Sequence, residues 1–538
     1  MIAPGRPCQA NTSSTGASIM LECTKPMAAQ ASRARPSAPS RAGERRRPAT
    51  GSRCRVLPRR VRPRRARDAA RAGRAHSGGH APTSEGERTT MTTAIALFTR
   101  DLRVHDNPML AAAAEADRVV PLFVLDDDIQ RSRFASPRRT RFLDESLTDL
   151  DENLRGLGGR LVLRRGALVD EVCRIAEEVD AAEVHICADV SGYAMRRQAR
   201  LAEALSAQRR ELRCHDEVVT VLAPGRVTPG GADKDHFTVF TPYLRRWLET
   251  GKRPPAAKPR RLRLPSRLSI GPRPAGGSAD GTWPGGETEG RRRADRWLGG
   301  GVRAYHERHD DLAADATSQL SPYLHFGCLS ARELADRAGR GEGPEAFVRQ
   351  LAWRDFHHQV LAARPEAVHE DYRPRGDRWH RDADALRAWK QGRTGVPIVD
   401  AGMRQLLELG WMHNRARLIT GSFLTKSLYL DWRAGAWHFF DHLVDGDIAN
   451  NCLNWQWVAG TGTDTRPNRV LNPLRQADRY DAGGDYVRRW VPELAGLGAG
   501  DVHRPWRLGD DELGRLGYPA PIVDLDQARE RFLDLRQR

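Results

Sequence analysis

The chain has 538 residues, of which 39% are hydrophobic and 13 are Trp. This apolar content is enough for two or three buried cores and excludes a fully disordered chain. The formal charge of +18 is concentrated at the amino end, because residues 1–90 hold 18 Arg and one Lys against five acidic residues and leave only +4 for the other 448. No run of 18 apolar residues occurs, so the sequence predicts neither a membrane-spanning helix nor a membrane partner.

The eight cysteines are scattered and form no C-x-x-C pair. This spacing disfavours zinc ribbons, iron–sulfur clusters and thioredoxin chemistry, and it is typical of free thiols in a reducing compartment. The sequence therefore predicts no metal site, no structural disulfide and a cytoplasmic location.

Residues 1–90 are rich in Ala, Arg, Pro, Ser and Gly and have almost no apolar periodicity, which predicts a disordered tail. Three interpretations are open: a start site assigned too early, a basic arm for nucleic acid, and an Arg-rich organelle address. The first is favoured because Met91 directly precedes a predicted strand.

Residues 91–222 alternate short β-rich runs with helical patterns. The predicted strands are 95–98, 119–125, 160–165, 183–188 and 212–219, and the predicted helices are near 107–117, 137–156, 167–179 and 193–208. This order predicts an α/β domain with a parallel sheet and helices on both faces, which binds ligands at the carboxyl ends of its strands. Neither G-x-G-x-x-G nor a P-loop occurs, so any cofactor there would be held without the usual glycines.

A linker and a helical domain are predicted to follow. Seven Pro and eight Gly fall within 251–290, and we assign 223–290 as an interdomain linker. Helical periodicity dominates 291–538, so the second domain is predicted to be all-α. None of the 13 Trp precedes Trp247.

Three segments of the helical half are unusually polar. In TSQLSPYLHFG (317–327), hydroxyls and amides could bind an anion at a helix start or simply cap that helix. GWMHNRARLITGSF (410–423) places an amide and two guanidiniums among apolar residues. DGDIANNCLNWQWVAGTGTD (445–464) clusters two Asp and two Asn before its tryptophans. Buried groups of this kind need partners, so the pattern indicates a polar ligand. A Ca²⁺ loop is disfavoured because the EF-hand spacing is absent.

Six motifs in order resemble the photolyase/cryptochrome family, specifically the photolyases that repair cyclobutane pyrimidine dimers: FTRDLRVHDNP, SPYLHFGCLS, WRDFHHQ, GWMHNR, DGDIANN and NWQWVAGTGTD. The resemblance covers essentially all of 91–538. It implies a Rossmann-like antenna-chromophore domain at 91–222 and an all-α FAD-binding catalytic domain at 291–538. It also implies light-driven repair of UV-damaged DNA, in which reduced FAD donates an electron to a flipped-out lesion.

The resemblance also implies a set of cofactor-binding residues. Arg417 and Asp445 would form an ion pair across the flavin, Asp447 would lie near the ribose, and Asn451 would face flavin N5. The full expected set is Tyr305, Thr317, Ser318, Gln319, Leu320, Ser321, Arg354, Arg417, Asp445, Gly446, Asp447 and Asn451.

On the lesion side, the resemblance implies that Trp353 stacks on the damaged bases. The other residues expected to contact the lesion or its backbone are His309, Gln350, His357, Asn414, Arg415 and Gln476. The sequence departs from the family pattern in three places, with Gln350 for Glu, Leu418 for Met and His309 for Arg. A Gln at position 350 also occurs in relatives that act on six-four photoproducts, but those carry paired histidines where this chain has WMHN (411–414), which favours the cyclobutane dimer.

Three tryptophans, Trp455, Trp432 and Trp379, match the family's chain that carries electrons from the surface to oxidised flavin. Their expected role is photoreduction of the cofactor and not repair itself. A single Trp in a helical domain is ordinarily a packing residue, so this assignment depends on all three positions matching.

The expected second chromophore and the competing functions complete the sequence-based predictions. Residues 189–205 lack the Asn-Glu pair of pterin-binding relatives, which favours 8-hydroxy-deazaflavin over methenyltetrahydrofolate or an empty site. A cryptochrome-type blue-light receptor without repair activity is the main rival, and the short segment after the catalytic domain favours the enzyme. A basic nucleic-acid-binding protein without chemistry is the third possibility. A monomer is expected.

Overall fold

The computed structural model describes residues 91–231, 234–271, 282–314 and 316–537. The predictions about the tail at 1–90 lie outside the described residues. The five predicted strands form one parallel sheet in the order β3-β2-β1-β4-β5, which confirms the α/β prediction. The strands are β1 Thr93–Phe98, β2 Arg118–Asp126, β3 Val162–Gly166, β4 Glu183–Cys187 and β5 Glu211–His215.

The central strand β1 is buried along its whole length, as expected for a parallel strand covered on both faces. Ile95 and Leu97 point into a core shared with the helices behind the sheet. Ala94, Ala96 and Phe98 alternate with them and belong to a second core that extends into the helical part of the chain. Because alternate side chains of β1 point to opposite faces of the sheet, this strand packs against both cores.

Five helices accompany the sheet: α1 Pro108–Ala113, α2 Asp127–Gln130, α3 Pro137–Arg155, α4 Leu168–Glu178 and α5 Gly192–Ala207. Four of them lie close to the predicted ranges, and the short α2 was not predicted. Strand β5 ends four residues earlier than predicted. Glu217 has φ of +57°, in the left-handed region that interrupts an extended strand.

The described part of 223–290 contains more regular structure than the Pro and Gly content of this segment indicates. Helix α6, Phe240–Glu249, lies inside it and packs against a helix of the catalytic part. Its buried residues Tyr243 and Trp247 give it an apolar face. This part of the predicted linker therefore contains a short amphipathic helix, which a composition count does not reveal.

The remainder of the described chain is helical, as predicted. Its helices are α7 Glu287–Gly299, α8 Tyr305–Arg308, α9 Ser321–His325, α10 Ala331–Arg337, α11 Glu342–Ala363, α12 Ala383–Gln391, α13 Pro397–Leu409, α14 Asn414–Ser422, α15 Trp432–His442, α16 Ile448–Ala459, α17 Pro473–Tyr480, α18 Asp485–Trp490, α19 Asp510–Leu516 and α20 Leu525–Gln537. In the part of the chain that the structure describes, none of the helices has the length and apolar content needed to cross a membrane.

The sheet and the helical part share the second of these two cores. Phe142 of α3 packs in a T-shape on Tyr323 and stacks on Phe326, with centroid distances of 5.2 and 4.8 Å. The described residues from 91 onward accordingly belong to one compact unit. The proposed boundaries at 222 and 291 mark a change from sheet to helices and not a gap between separate cores.

Candidate functional site

The first turn of α16 brings together groups from distant parts of the chain. Asp447 caps this helix, because its Oδ1 accepts from the Asn450 backbone N–H at 2.8 Å and from the Asn450 side chain at 2.7 Å. Its other oxygen accepts from the Arg100 guanidinium at 2.5 Å and lies 3.7 Å from Nε2 of His358. Asp447 is buried, so its negative charge is stabilised by groups of the protein and not by solvent.

Burial opposes ionisation of Asp447, but its proximity to His358, Arg100 and Arg354 holds its pKa well below the usual range. The same burial lowers the pKa of His358 to about 4, so this imidazole is neutral near pH 7. The carboxylate is therefore ionised, and arginines supply the positive charge around it.

A second buried carboxylate lies two residues earlier. Asp445 accepts from Nη2 of Arg417 at 2.8 and 3.2 Å, through its two oxygens. Nε of Arg417 donates to the Met412 carbonyl at 2.8 Å, so two contacts fix the guanidinium. The predicted Arg417–Asp445 ion pair is present, and its place beside the flavin stays a prediction.

Three other expected cofactor residues have structural partners. Nδ2 of Asn451 donates to the Ala436 carbonyl at 2.9 Å. Arg354 donates to the Val219 carbonyl at 2.6 Å and to Leu324 at 3.3 Å. At Gly446, a Cβ would lie 2.9 Å from Nη1 of Arg139, so a larger residue here would displace this guanidinium.

The polar segment before α9 is joined to GWMHNR by a hydrogen bond. Nε1 of Trp411 donates to Oγ of Ser321 at 3.2 Å. Gln319 has φ of +51°, Leu320 is buried, and Thr317 and Ser318 are partly buried. Tyr305 lies upstream in α8. The hydrogen bond brings Ser321 next to Trp411, which lies three residues before α14, the helix that carries Arg417.

Several buried polar atoms on these segments lack a partner among the described residues. They are Oγ1 of Thr317, Nδ1 of His325, Nε2 of His357, Nε2 of His358, Nε2 of His413 and Oε1 of Gln476. Buried polar atoms are normally hydrogen-bonded. Donors and acceptors for a polar ligand are thus present on the same segments as the expected cofactor residues, and this donor set fits FAD, which presents hydroxyl, phosphate and ring-nitrogen groups.

Trp353 has one face already covered. Its ring stacks on Phe240 at a centroid distance of 3.6 Å and an interplanar angle of 9°, and Phe356 and His357 contact it edge-on. Only the opposite face of the partly buried indole is left for a stacked base. Sequence reasoning missed Phe240 because it lies in the segment assigned as a linker, although the apolar spacing of FTPYLRRWL could have revealed α6.

The remaining lesion-side residues differ in how available they are. Asn414 is exposed at the start of α14, and Gln350 is partly buried on α11. Arg415 already pairs with Asp310, at 3.1 Å from Nε, and lies over the Tyr480 ring at 4.3 Å. His309 contacts the Tyr305 carbonyl through Nδ1 at 2.8 Å. Arg415, which is expected to contact DNA, is therefore already engaged in an ion pair within the protein.

The three matched tryptophans have distinct surroundings. Trp455 lies on α16, with its ring 6.0 Å from Trp389. Nε1 of Trp432 donates to Asp371 at 2.8 Å, and the Trp379 ring lies 5.0 Å from Tyr429. Trp389 is fully buried and was not expected near the other three, because nothing in the local sequence distinguishes it from a packing residue.

A separate cavity of about 260 Å³ lies at the start of β2, lined by Asp117, Val119 and Arg261 among others. This is the amino-terminal edge of the sheet, opposite the edge at which parallel sheets bind ligands. None of the expected site residues lines it.

Comparisons with known proteins agree with this arrangement. The family model described as "DNA photolyase" matches residues 94–260, and the one described as "FAD binding domain of DNA photolyase" matches 347–538. A curated relative from Streptomyces griseus, named deoxyribodipyrimidine photo-lyase, is 58% identical over 449 residues, which cover 82% of this chain and 98% of the relative.

Two solved structures are similar in fold. A class III photolyase from Agrobacterium tumefaciens has a TM-score of 0.76 and 32% identity, with coverage of 85% of this chain and 99% of that one. An archaeal photolyase from Sulfolobus tokodaii, described as containing two FAD molecules, has a TM-score of 0.72 and 29% identity, with coverage of 83% and 100%.

The sheet, the helical part and the buried polar site thus define a flavoprotein whose helical part is an FAD-binding domain. The chain belongs to the photolyase/cryptochrome family.

Proposed function

We propose that this protein repairs cyclobutane pyrimidine dimers in UV-damaged DNA, as a light-dependent carbon–carbon lyase. The observation that carries the proposal is the 58% identity to a deoxyribodipyrimidine photo-lyase across 98% of that relative. The asparagine at position 414, exposed at the start of α14, agrees with this substrate because the six-four relatives carry paired histidines in this motif.

We propose that FAD is held by the residues around α14 and α16. Asp447 and Thr317 would bind ribose and phosphate groups, and Asn451 and the Arg417–Asp445 pair would lie beside the flavin ring. When bound, reduced FAD supplies the light-driven electron that splits the cyclobutane ring. The chain's own contribution is a water-poor pocket in which a fixed amide and guanidinium favour negative charge on the ring.

The lesion would enter beside Trp353. A dimer inside a duplex cannot approach a buried cofactor, so it must be flipped out, and unstacking costs least where the bases are already damaged. The free face of Trp353 would take the place of the lost base stacking. Exposed arginines on the loop before and within α17, among them Arg466, Arg469 and Arg475, would hold the phosphates without reading sequence.

The test is repair by the purified full-length chain, photoreduced, on two oligonucleotides. One carries a cyclobutane thymine dimer and the other a six-four photoproduct, each under blue light and in darkness. We expect light-dependent restoration of the first alone. Restoration of the second alone would identify the six-four photoproduct as the substrate. This outcome would agree with Gln350, because six-four relatives also carry Gln at this position. Restoration of neither by flavin-loaded protein would favour a receptor of the cryptochrome type.

We propose a second chromophore in the sheet domain, with 8-hydroxy-deazaflavin favoured over methenyltetrahydrofolate. Support comes from the missing Asn-Glu pair in 189–205, where the structure instead has Asp189 bound to Arg100 and the Tyr193 hydroxyl donating to Asp126 at 2.5 Å. A second FAD is a further possible chromophore, because the archaeal relative is described as containing two FAD molecules. Chromatography of the chromophores released from purified protein distinguishes deazaflavin, folate, a second FAD and none.

We propose further that the protein acts as a monomer in the cytoplasm. The scattered cysteines without a C-x-x-C pair support a reducing compartment. Light scattering on the flavin-loaded chain, with and without lesion DNA, checks the oligomeric state, and a mass of two chains would contradict the proposal.

A further inference from the structure

The motif FTRDLRVHDNP has a structural role that neither the antenna nor the lesion site explains. The loop after β1 lies against the segment that precedes α10. Leu102 donates to the Phe326 carbonyl at 3.3 Å, and Nη1 of Arg103 donates to the Gly327 carbonyl at 3.0 Å. Gly327 has φ of +70°, and a Cβ there would collide with the Arg100 carbonyl. The loop therefore docks the sheet directly onto the segment that holds α9.

Arg100, in this loop, contacts three other segments of the chain. Its guanidinium contacts Asp189 at 3.2 Å, after β4, and Asp447 at 2.5 Å, at the start of α16. Nε also donates to the His325 carbonyl at 3.3 Å. The gap at the carboxyl ends of β1 and β4 is where a sheet of this order would bind a ligand. Here an ion pair fills that position and faces the helical domain.

The charges around Asp447 make Arg100 its principal direct partner. His358 is 3.7 Å away and neutral near pH 7, since burial lowers its pKa to about 4. Arg354 is occupied with the Val219 and Leu324 carbonyls. Burial disfavours the charged guanidinium of Arg100, yet Asp189 and Asp447 raise its pKa above the usual value. The pair is thus charged at any physiological pH.

We propose that Arg100 is a positioning residue of the FAD site, contributed by the sheet domain. It orients the ionised Asp447 carboxylate so that one oxygen caps α16 and the other is fixed beside the cofactor. This inference rests on the proposed assignment of Asp447 to FAD. It means that the antenna-type domain secures the catalytic cofactor as well as any chromophore of its own.

Arg103 provides a matched control. It is buried in the same loop, but it donates only to backbone carbonyls, those of His105, Asp106, Gly327 and Val218. Arg103→Gln removes hydrogen bonds of the same loop, including the one to the Gly327 carbonyl, without changing the charge at Asp447. A purely structural loss from Arg100→Gln would resemble the loss from Arg103→Gln.

The experiment is a dark measurement of FAD release from the full-length protein. Every variant is first reconstituted with excess FAD, and release after dilution is measured as the rise in free FAD fluorescence. The single variants are Arg100→Gln, Arg100→Lys, Arg103→Gln and Asp447→Asn. Two double variants combine Asp447→Asn with either Arg100→Gln or Arg103→Gln. Loss of a charge-assisted hydrogen bond predicts FAD release about ten- to a hundredfold faster in Arg100→Gln. Arg100→Lys, which keeps the charge, should be intermediate.

The double-mutant cycle gives the decisive result. If Arg100 acts through Asp447, Arg100→Gln adds little to the release rate once Asp447 is Asn, whereas Arg103→Gln stays additive. Additive effects for Arg100→Gln, or unchanged release in Arg100→Gln and Arg100→Lys alike, would overturn the proposal. If Arg100→Gln does not fold, the cycle is run with Arg100→Lys. No DNA or light is used, so a failure of FAD-loaded protein to repair DNA would not affect the proposal about Arg100. A wild-type chain that holds no FAD would overturn that proposal.

Discussion

The residues assigned to the cofactor and those assigned to the lesion differ in how the protein holds them. Asp445 and Asp447 are buried and each is bound by an arginine. Asn414 is exposed, and Trp353 is partly buried with one face covered. The cofactor side is thus fixed before any ligand arrives, whereas the lesion side keeps open surfaces.

The difference fits what each ligand requires. A permanently bound cofactor benefits from preorganised charges, because their orientation does not have to be paid for at each turnover. A transient DNA partner must enter and leave, so exposed faces and salt-dependent phosphate contacts are suitable. Substitutions on the two sides should therefore separate FAD retention from DNA affinity.

The largest effect is expected from Asp447→Asn. Removing this carboxylate leaves Arg100 with Asp189 as its remaining anionic partner and breaks a largely buried ion pair, a loss of about 3–5 kcal/mol. We expect little FAD in the purified protein, measured as flavin absorbance per chain. Asp400→Asn is the matched control, since Asp400 is equally buried but bound to Thr394 and Tyr518. It should lower the thermal stability and leave FAD in place, and equal FAD loss in both variants would contradict the assignment.

Trp353→Ala should affect the lesion side only. Loss of one base-stacking surface predicts weaker binding of dimer-containing DNA by about 1–3 kcal/mol, with normal FAD content. Fluorescence anisotropy with damaged and intact oligonucleotides measures this. Phe240→Leu, which keeps an apolar contact on the covered face, should cost less. The assigned role fails if Trp353→Ala still discriminates damaged from intact DNA as well as the wild type does.

Acid should release FAD through the buried histidines. Burial lowers the pKa of His325 and His357 to about 3 and that of His358 to about 4, against about 6.5 in an unfolded chain. The unfolded state then binds more protons, so this stability is fully present above pH 6.5 and is lost as the pH falls toward 4. FAD fluorescence and far-UV circular dichroism followed from pH 7 to 4 check this. His358→Gln should shift the release to lower pH, and an unshifted midpoint would argue against it.

The smallest effect on repair is expected from Trp432→Phe. This change removes one member of the proposed electron chain and its hydrogen bond to Asp371. Photoreduction of oxidised flavin should slow strongly, while repair by chemically reduced protein stays near the wild-type rate. Flavin absorbance under illumination measures the first and dimer repair the second. Equal loss of both would place Trp432 in the repair site or in the fold.

Sequence reasoning succeeded where the signal is local. The apolar runs of β1 and β2 and the helical spacing after them predict the sheet because these two strands bury most of their own residues. The Arg417–Asp445 pair was expected from two motifs through the family resemblance and is present.

Contacts between distant segments were not predictable from the sequence. Arg100 lies 347 residues before Asp447, and no periodicity relates the two. The stacking of Phe240 on Trp353 likewise depends on α6 folding back onto α11. In both cases the motif was recognised, but its partner is set by packing of the whole chain.

The most direct test of the central claim is the excited-state lifetime of bound reduced flavin, measured on the full-length protein with saturating dimer-containing DNA and with intact DNA. Electron donation to the lesion predicts a shorter lifetime with the dimer alone, accompanied by loss of the dimer. An identical lifetime with both DNAs, in protein that demonstrably binds the lesion, would contradict the proposed function.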